Sequence, residues 1–322
     1  MLTITIALSV LSFVLTYVFL TKWIPLAKKK GIFGIDVHKV KKVQVTEAGG
    51  VIVLLVFSAS LLLYGLWLEL QNVFDFKLLA ILSATLLGGI LGLLDHLIGI
   101  KWSTKIFLPL IAALPLMISR VGYTTMELPI IGAVDFGLIY TFLFVPLAVT
   151  AVINMTNMFA GYNGLESGLG LVNSFWFMVV SFLINNQLAF LISTTLFFSL
   201  LAFLKFNWYP AKVFPGDVGT FTIGAVLASI IIIGNMEKFA ISLFSLFILN
   251  FILLVYWLKI TKKPFQKFAT VDKKGYLKPP NPFSTYWILP YYFKLKEDTT
   301  VKILLVIQFL IGLTSFLLFV KV

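Results

Sequence analysis

Residues 154–168 read NMTNMFAGYNGLESG and interrupt a long apolar sequence with three Asn, one Glu and three Gly. Asn154 and Asn157 share a face if the preceding helix continues through them, because side chains three residues apart lie together on a helix. Residues 161–164, GYNG, predict a turn, since Gly and Asn tolerate positive φ. In so apolar a chain, this polar stretch predicts the floor of a metal and nucleotide site at a membrane surface.

The composition around this stretch is that of a membrane protein. Hydrophobic residues make up 60% of the 322 residues, charged residues make up 12%, and the mean hydropathy is +1.03. A soluble domain carries about 25% charged residues. Cys is absent, so neither disulfides nor thiolate metal ligands are expected. The first residues lack a basic segment and a small-residue cleavage site, which predicts a retained first helix.

Apolar runs long enough to cross a bilayer, about 20 residues at helical rise, recur along the sequence. We therefore predict an all-α polytopic integral membrane protein that forms a single domain over residues 1–322. About ten transmembrane spans are expected, at 3–21, 48–68, 77–95, 105–120, 135–153, 167–185, 187–205, 218–234, 239–258 and 302–320. Alternate connections are expected to be cytoplasmic loops at about 22–47, 96–104, 154–166, 206–217 and 259–301.

Basic residues are divided unequally between the two sides. Given ten spans, one side receives 21 of the 25 Lys and Arg residues, and positive residues mark the cytoplasmic side. Both termini are then expected outside. The polar clusters lie at helix ends on the basic side, whereas transporters usually place ionisable residues near the bilayer midplane. This favours an enzyme that works at the cytoplasmic surface on a soluble anionic substrate.

Asp217 and Asn157 are the candidate metal ligands. Asp217 stands at the start of the expected eighth span, where an Asp can also be a simple helix N-cap. Asn157 alone could equally be a buried, hydrogen-bonded amide. Together they supply a carboxylate and an amide oxygen, and Mg²⁺ is usually held by few protein oxygens, with water and phosphate completing its shell. The expected cofactor is therefore Mg²⁺, with Mn²⁺ as an alternative.

Asp95 and Lys105 flank the short loop after the expected third span. They are either an interfacial ion pair, or a phosphate-binding Lys with a carboxylate near the reacting oxygen. Glu47 is either a helix-start acid or a wall of the active site. His38 and His96 are the two His residues, and neither stands at metal-ligand spacing from another candidate.

Four motifs, in order, resemble those of the polyprenyl-phosphate N-acetylhexosamine-1-phosphate transferases, above all the eukaryotic and archaeal branch that uses UDP-GlcNAc and dolichyl phosphate. They are Asp36-Val-His-Lys39 with Glu47-Ala-Gly-Gly50, Leu94-Asp95-His96 with Lys101-Trp102 and Lys105-Ile-Phe-Leu-Pro109, residues 154–166, and Asn207-Trp-Tyr-Pro210 with Phe214 and Gly216-Asp217. Spread over most of the chain, the four motifs together are highly specific.

The resemblance implies that a polyprenyl or dolichyl phosphate attacks the β-phosphorus of UDP-GlcNAc. UMP leaves, and GlcNAc-diphospho-polyprenol remains, the first membrane step of glycan assembly such as protein N-glycosylation. The roles implied by position are Asn157 and Asp217 for Mg²⁺, Phe214 and Asn163 for uracil, Lys105 for phosphate, Asp95, Glu47 and His96 at the reaction centre, and Asn154, Lys39, Lys101, Lys262, Lys263 and Lys267 for other substrate contacts.

Three features depart from the family pattern. His96 stands where a second Asp is usual, and Gly99 replaces a common Asn. The last cytoplasmic loop carries Lys262, Lys263 and Lys267 where relatives have Arg and His. Lys supplies charge without the bidentate fork of Arg, so these lysines would recognise the donor through charge alone.

Three functions stay open: the transferase, a transporter or channel for an anionic solute, and a family member that His96 has made inactive. For the transferase we expect UDP-GlcNAc, a polyprenyl or dolichyl phosphate and the lipid bilayer as partners. A homodimer is an open alternative, and no nucleic acid is expected. The expected location is an archaeal or bacterial cell membrane, or the ER membrane, with the active site facing the cytoplasm.

Overall fold

Helices make up most of the protein. The computed structural model describes residues 2–128, 132–262, 266 and 268–320. Its helices are α1 Leu2–Lys29, α2 Gly50–Leu70, α3 Lys77–Ile98, α4 Trp102–Lys105, α5 Pro109–Ile118, α6 Val145–Asn157, α7 Leu165–Leu183, α8 Gln187–Asn207, α9 Gly216–Gly234, α10 Glu237–Leu243, α11 Ser245–Thr261, α12 Thr285–Tyr292 and α13 Glu297–Phe319. A π-helical turn, Tyr140–Phe144, leads directly into α6.

The helices confirm an integral membrane architecture. Within the described residues, eight helical segments are long and apolar enough to cross a membrane, and α10 with α11 makes a ninth if this pair, bent by 61°, is one span. The expected fourth span corresponds to a shorter apolar segment, Trp102–Ile118. Ten spans, the side of the termini and the side of the active site therefore stay predictions.

The described residues also form three antiparallel hairpins, which the all-α prediction did not include. The pairs are β1 Phe33–Asp36 with β2 Val43–Thr46, β3 Thr125–Leu128 with β4 Gly132–Asp135, and β5 Thr270–Val271 with β6 Leu277–Lys278. Thr46, at the end of the first hairpin, also pairs with Val213 in the loop between α8 and α9. The first hairpin therefore connects two loops that both carry candidate site residues.

Two helices extend into the expected loops. α1 continues to Lys29, with Pro25 inside it and Lys28 and Lys29 in its last turn. Basic side chains are favourable at a helix C-terminus, so the basic residues that predicted a loop belong to the helix end. α13 begins at Glu297, with Glu297 and Asp298 in its first turn, where acidic side chains are favourable. The connection expected at 22–47 therefore begins only after Lys29, and the one expected at 259–301 ends before Glu297.

α9 lies at the centre of the bundle. Nearly all of its residues are buried, and it packs against α2, α3, α6, α7 and α8. A helix that is apolar on every side is typical of such a position. Two glycines bring neighbours close, because a Cβ at Gly92 would overlap the Asp217 carbonyl oxygen and one at Gly50 would lie 2.6 Å from the Pro215 carbonyl oxygen. The first turn of α9, with Asp217, is therefore held between the ends of α2 and α3.

Candidate active site

Residues from separate helices meet at one end of the bundle in a group that we call the Lys105 cluster: Asp95, Lys105, Asn157, Asp217 and Thr220. They lie in the last turn of α3, in α4, at the end of α6 and in the first turn of α9. The Lys105 ammonium contacts the Asp95 carboxylate and lies 3.1 Å from Asp217 Oδ1. One cation thus joins two carboxylates from different helices.

The Asn157 amide completes this cluster. One amide atom lies 2.8 Å from both Asp217 Oδ1 and Thr220 Oγ1, and the other lies 3.1 Å from Lys105 Nζ. With the nitrogen toward Asp217, every contact is a hydrogen bond. The opposite orientation places the amide oxygen beside the Asp217 carboxylate, and Thr220 then donates to it at 2.8 Å. Mg²⁺ prefers amide and carboxylate oxygens. Rotation of the Asn157 amide, which places its oxygen 2.8 Å from Asp217 Oδ1, would therefore let both residues hold that ion.

Backbone and amide contacts hold Asp95 and Lys105 in place. Asp95 Oδ1 accepts from the Ile100 backbone N–H at 3.0 Å. Gly99, just after α3, has φ 63°, a left-handed conformation that Asn also adopts readily. Asn154 Nδ2 donates to the Ile106 carbonyl at 2.9 Å. Asn154 therefore ties the residue after Lys105 to α6, and its predicted substrate contact stays a prediction.

His96 and Glu47 form a pair beside the Lys105 cluster. His96 Nε2 lies 3.4 Å from Glu47 Oε2, and both side chains are partly exposed. A Cβ on Gly216 would lie 3.7 Å from His96 Nδ1, which places the imidazole next to the residue that precedes Asp217. The structure thus brings Glu47 and His96 to the edge of the candidate metal site.

Phe214 lies on the loop that leads to Asp217. Its backbone N–H donates to the Thr46 carbonyl at 2.7 Å, and its carbonyl accepts from the Gly49 N–H at 2.9 Å. Asn207 supports the same loop by donating from Nδ2 to the Val213 carbonyl at 2.8 Å. The half-buried Phe214 ring is therefore carried by a loop that is fixed at both ends, and its stacking on uracil stays a prediction.

A second buried group, which we call the Lys39 cluster, contains Asp36, Lys39, Asn163 and Glu297. Lys39 Nζ lies 2.5 Å from Glu297 Oε2 and 2.9 Å from Asp36 Oδ2. The Asn163 amide donates to Asp36 Oδ2 at 3.1 Å and accepts from the Ala211 N–H at 2.8 Å and from Lys39 at 3.3 Å. The contacts of Lys39 and Asn163 are thus internal, and their predicted substrate contacts stay predictions.

His38 borders the Lys39 cluster. Burial lowers the pKa of His38 to about 4, with the Asp36 charge opposing and the Lys39 charge reinforcing this shift. Ligand-capable atoms of His38, Asp36 and Glu297 lie within 4.8 Å of one another, a grouping that sequence spacing did not indicate. The Lys39 ammonium contacts the carboxylates of Asp36 and Glu297, as the Lys105 ammonium contacts those of Asp95 and Asp217.

The remaining predicted residues stand apart. Lys101 is exposed at the start of α4, and Lys262 is exposed just after α11, with φ 52°. Lys263 and Lys267 lie outside the described residues. Donor recognition by these lysines stays a prediction.

Three residues of the two clusters had no assigned role from the sequence: Asp36, Thr220 and Glu297. Asp36 lies inside a recognised motif. Thr220 stands three residues after Asp217, and a helix beginning at residue 216 puts both on one face. The sequence spacing could therefore have identified Thr220. Glu297 and Asp298 both read as helix-start acids, and only the tertiary structure separates them.

Comparison with known proteins gives matches over most of the chain. The profile of glycosyl transferase family 4 matches residues 78–235, a segment that contains the whole Lys105 cluster. A candidate UDP-N-acetylglucosamine–dolichyl-phosphate N-acetylglucosaminephosphotransferase of Sulfolobus acidocaldarius is 35% identical over 276 residues, which cover 83% of this chain and 81% of that protein. Its namesake in Saccharolobus solfataricus is 34% identical over 246 residues, covering 76% and 75%. The enzyme of that name in Schizosaccharomyces pombe is 29% identical over 300 residues, covering 78% and 66%.

Proposed function

The chain belongs to glycosyl transferase family 4, and on this premise we propose that it transfers GlcNAc-1-phosphate from UDP-GlcNAc to a polyprenyl phosphate of the dolichyl type. The products are UMP and GlcNAc-diphospho-polyprenol, the first membrane step of a glycan assembly such as protein N-glycosylation. The observation that carries this proposal is the Lys105 cluster, in which one Lys, two carboxylates and an Asn converge where three helices end.

Phosphoryl transfer depends on positioning and charge neutralisation, and each residue of this cluster has its own role in one or the other. Lys105 is partly exposed and exchanges a carboxylate partner for a phosphate oxygen of the donor. Asn157 and Asp217 hold Mg²⁺, which when bound neutralises the charge of the pyrophosphate. Asp95, with Glu47 and His96 beside it, lines the place where the acceptor oxygen reaches the β-phosphorus.

The reaction needs no strong general base. A lipid phosphate has a second pKa of about 6, by analogy with phosphoserine, so its oxygen is largely ionised at neutral pH. As the bond from this oxygen to the β-phosphorus forms, the bond from the β-phosphorus to the bridging oxygen breaks, and UMP leaves with that electron pair. Phe214 and Asn163 hold the uracil, and Lys262, Lys263 and Lys267 attract the negatively charged donor.

An apolar cavity supports a lipid acceptor. Its volume is about 310 Å³, and it lies between α6 and the α10–α11 pair. The cavity runs along α6, the helix that carries Asn157 in its last turn, so an isoprenoid chain placed there would lead toward the reaction centre. The lining residues include Ala148, Val152, Met155, Ala240, Phe244 and Ile248.

We also propose the orientation that the basic residues favour. Trp102–Ile118 completes ten spans, both termini lie outside, and the Lys105 cluster faces the cytoplasm. The membrane is an archaeal or bacterial cell membrane, or that of the ER.

The proposal is tested by incubating purified protein with labelled UDP-GlcNAc, a polyprenyl phosphate and Mg²⁺. We expect lipid-linked GlcNAc and UMP, and expect EDTA to abolish both until Mg²⁺ or Mn²⁺ is restored. Asp217→Asn should be folded but inactive, whereas Asp135→Asn, on the β3–β4 hairpin, is the matched control. If no lipid-linked sugar forms and EDTA makes no difference, the transferase proposal fails.

The same assay separates the other functions. A transporter would move UDP-GlcNAc into proteoliposomes without consuming it, and the named relatives give this alternative no support. An inactive family member would bind UMP without forming product. Competition between UDP-GlcNAc and UDP-GalNAc tests the sugar, and comparison of polyprenyl with dolichyl phosphate tests the acceptor.

A further inference from the structure

The Lys39 cluster joins four separate parts of the chain. Asp36 and Lys39 come from the first hairpin, and Asn163 comes from the turn between α6 and α7. Ala211, which donates to the Asn163 amide at 2.8 Å, lies in the loop between α8 and α9. Glu297 is the first residue of α13. The cluster therefore ties the start of the last helix to three loops that reach the candidate active site.

Glu297 makes two of the shortest contacts in this cluster. Its Oε1 accepts from the Asn163 backbone N–H at 2.7 Å, and its Oε2 contacts Lys39 Nζ at 2.5 Å. The Glu297 side chain is only 2% exposed. Since hydrogen bonds to charged groups are stronger than neutral ones, a buried carboxylate with both oxygens engaged holds the turn and the hairpin firmly.

We propose that Glu297 is a positioning residue for the donor nucleotide. Through Lys39 and Asn163 it holds the turn 158–164 in register with the loop 208–215, which carries Phe214. This inference rests on the proposed function, in which Asn163 and Phe214 flank the uracil of UDP-GlcNAc. We call the ion pair of Glu297 and Lys39 the lock, because it fixes the position of the two segments around the nucleotide subsite. Glu297 does not touch the reacting atoms.

The lock shares no residue with the Lys105 cluster. The Lys105 cluster is held by α3, α4, α6 and the first turn of α9, whereas the lock is held by the hairpin, two loops and α13. Loosening the lock should therefore weaken nucleotide binding more than it slows phosphoryl transfer. A residue needed for the chemistry itself would show the opposite pattern.

The test compares Glu297→Gln with Asp298→Asn. Both replace a carboxyl in the first turn of α13 with an amide, but Asp298 is more exposed and pairs with Lys302 at 3.1 Å. For Glu297→Gln we expect KM for UDP-GlcNAc to rise about tenfold, the size expected for losing a charged hydrogen bond. The dissociation constant of UMP, measured by calorimetry, should rise in parallel, while kcat changes much less. Hydrogen exchange across 158–164 should become faster in this variant alone.

A second pair of variants guards against simple misfolding. Lys39→Met leaves the carboxylates of Asp36 and Glu297 facing each other, and removing one partner of a buried pair is more damaging than removing both. The double variant Lys39→Met, Glu297→Gln should therefore recover thermal stability and part of the UMP affinity. Equal damage in the single and double variants would contradict the lock.

The outcomes separate this inference from the proposed function. If product forms and Glu297→Gln matches Asp298→Asn in KM, UMP affinity and exchange, the lock is wrong and the transferase stands. If kcat falls while KM and UMP affinity are unchanged, Glu297 is not a positioning residue. If the wild type forms no product, UMP affinity and exchange across 158–164 still decide whether the lock exists.

Discussion

Replacing Gly50 with Ala should disable the enzyme from a position that touches no substrate. Gly50 begins α2, and its N–H donates to the Pro215 carbonyl at 3.0 Å. A Cβ at this position would lie 2.6 Å from that oxygen and closer still to the backbone of Gly219, whereas ordinary contact begins at 3.4 Å. Because the opposing atoms are backbone, no side chain can rotate out of the way.

The size of the effect follows from these distances. Moving the Gly219 Cα from 2.2 to 3.4 Å from the new Cβ requires that α2 and the start of α9 separate by about 1.2 Å, more than the 0.8 Å that the Pro215 oxygen alone requires. Asp217 lies between Pro215 and Gly219 and must move with them. Overpacking of this kind costs about 1–3 kcal/mol. A misplacement of about 1 Å at a reacting site costs about 100-fold in rate, so we expect a loss of that order in kcat/KM.

The control for this prediction lies in the same helix. A Cβ at Gly65 would meet only side-chain atoms of Leu78 and Phe74, at 3.0 and 3.3 Å, and these can shift. Gly→Ala inside a helix gains about 1 kcal/mol in propensity, so Gly65→Ala carries the helical benefit without the backbone clash. Both variants are compared by initial rates and thermal unfolding in detergent. If Gly50→Ala is as active as Gly65→Ala, the reasoning from close packing is refuted.

Three further substitutions test the hydrogen bonds and charges around the site. Thr220→Val removes a hydroxyl beside the metal-site amide and should weaken Mn²⁺ binding about tenfold, measured by paramagnetic resonance. Thr222→Val is the control. The Thr222 hydroxyl donates within its own helix at 2.6 Å, so its loss should leave Mn²⁺ binding unchanged. The buried His38 stays neutral in the folded protein, whereas the unfolded chain binds a proton as the pH drops from 6.5 to 4. The free energy of unfolding should therefore fall by about 3 kcal/mol over that range. His38→Gln should flatten thermal stability over that range, and an unchanged slope would oppose it. His96→Asp brings a second carboxylate beside Glu47 and should lower the rate, whereas a large gain would show that His96 limits catalysis.

The helices and the polar stretch could be predicted because both depend on local sequence. Apolar runs of spanning length identify membrane helices wherever they occur. α6 does continue through Asn157, and a turn follows in which Gly164 has φ 80°, as the Gly and Asn content indicated. The boundaries near charged residues were harder, since the same Lys residues suit a loop and the last turn of α1.

The partners of each polar residue could not be predicted in the same way. Glu297 contacts Lys39 and Asn163 across most of the chain length, and a single sequence contains no periodicity that records such a pairing. Resemblance to a family located Lys39 and Asn163 as candidates for substrate contacts, and those contacts stay predictions. Their internal hydrogen bonds became visible only when the loops were placed in space.

The two Lys clusters have nearly the same residue types, so residue type alone could not distinguish a catalytic cluster from a structural one. Each has one Lys between two carboxylates and one Asn from the stretch 154–168. Lys105 is 17% exposed and Lys39 is 11% exposed. The carboxylates of Asp95 and Asp217 are 5% and 21% exposed, whereas those of Asp36 and Glu297 are each 2% exposed. A partly exposed Lys can exchange a carboxylate for an arriving phosphate, but a buried ion pair resists exchange because a lone buried charge is costly. The difference in exposure therefore indicates that Lys105 can exchange its partners during the reaction, whereas the Lys39 cluster keeps a fixed geometry. On this argument, Lys105→Met should lower kcat and Glu297→Gln should raise KM.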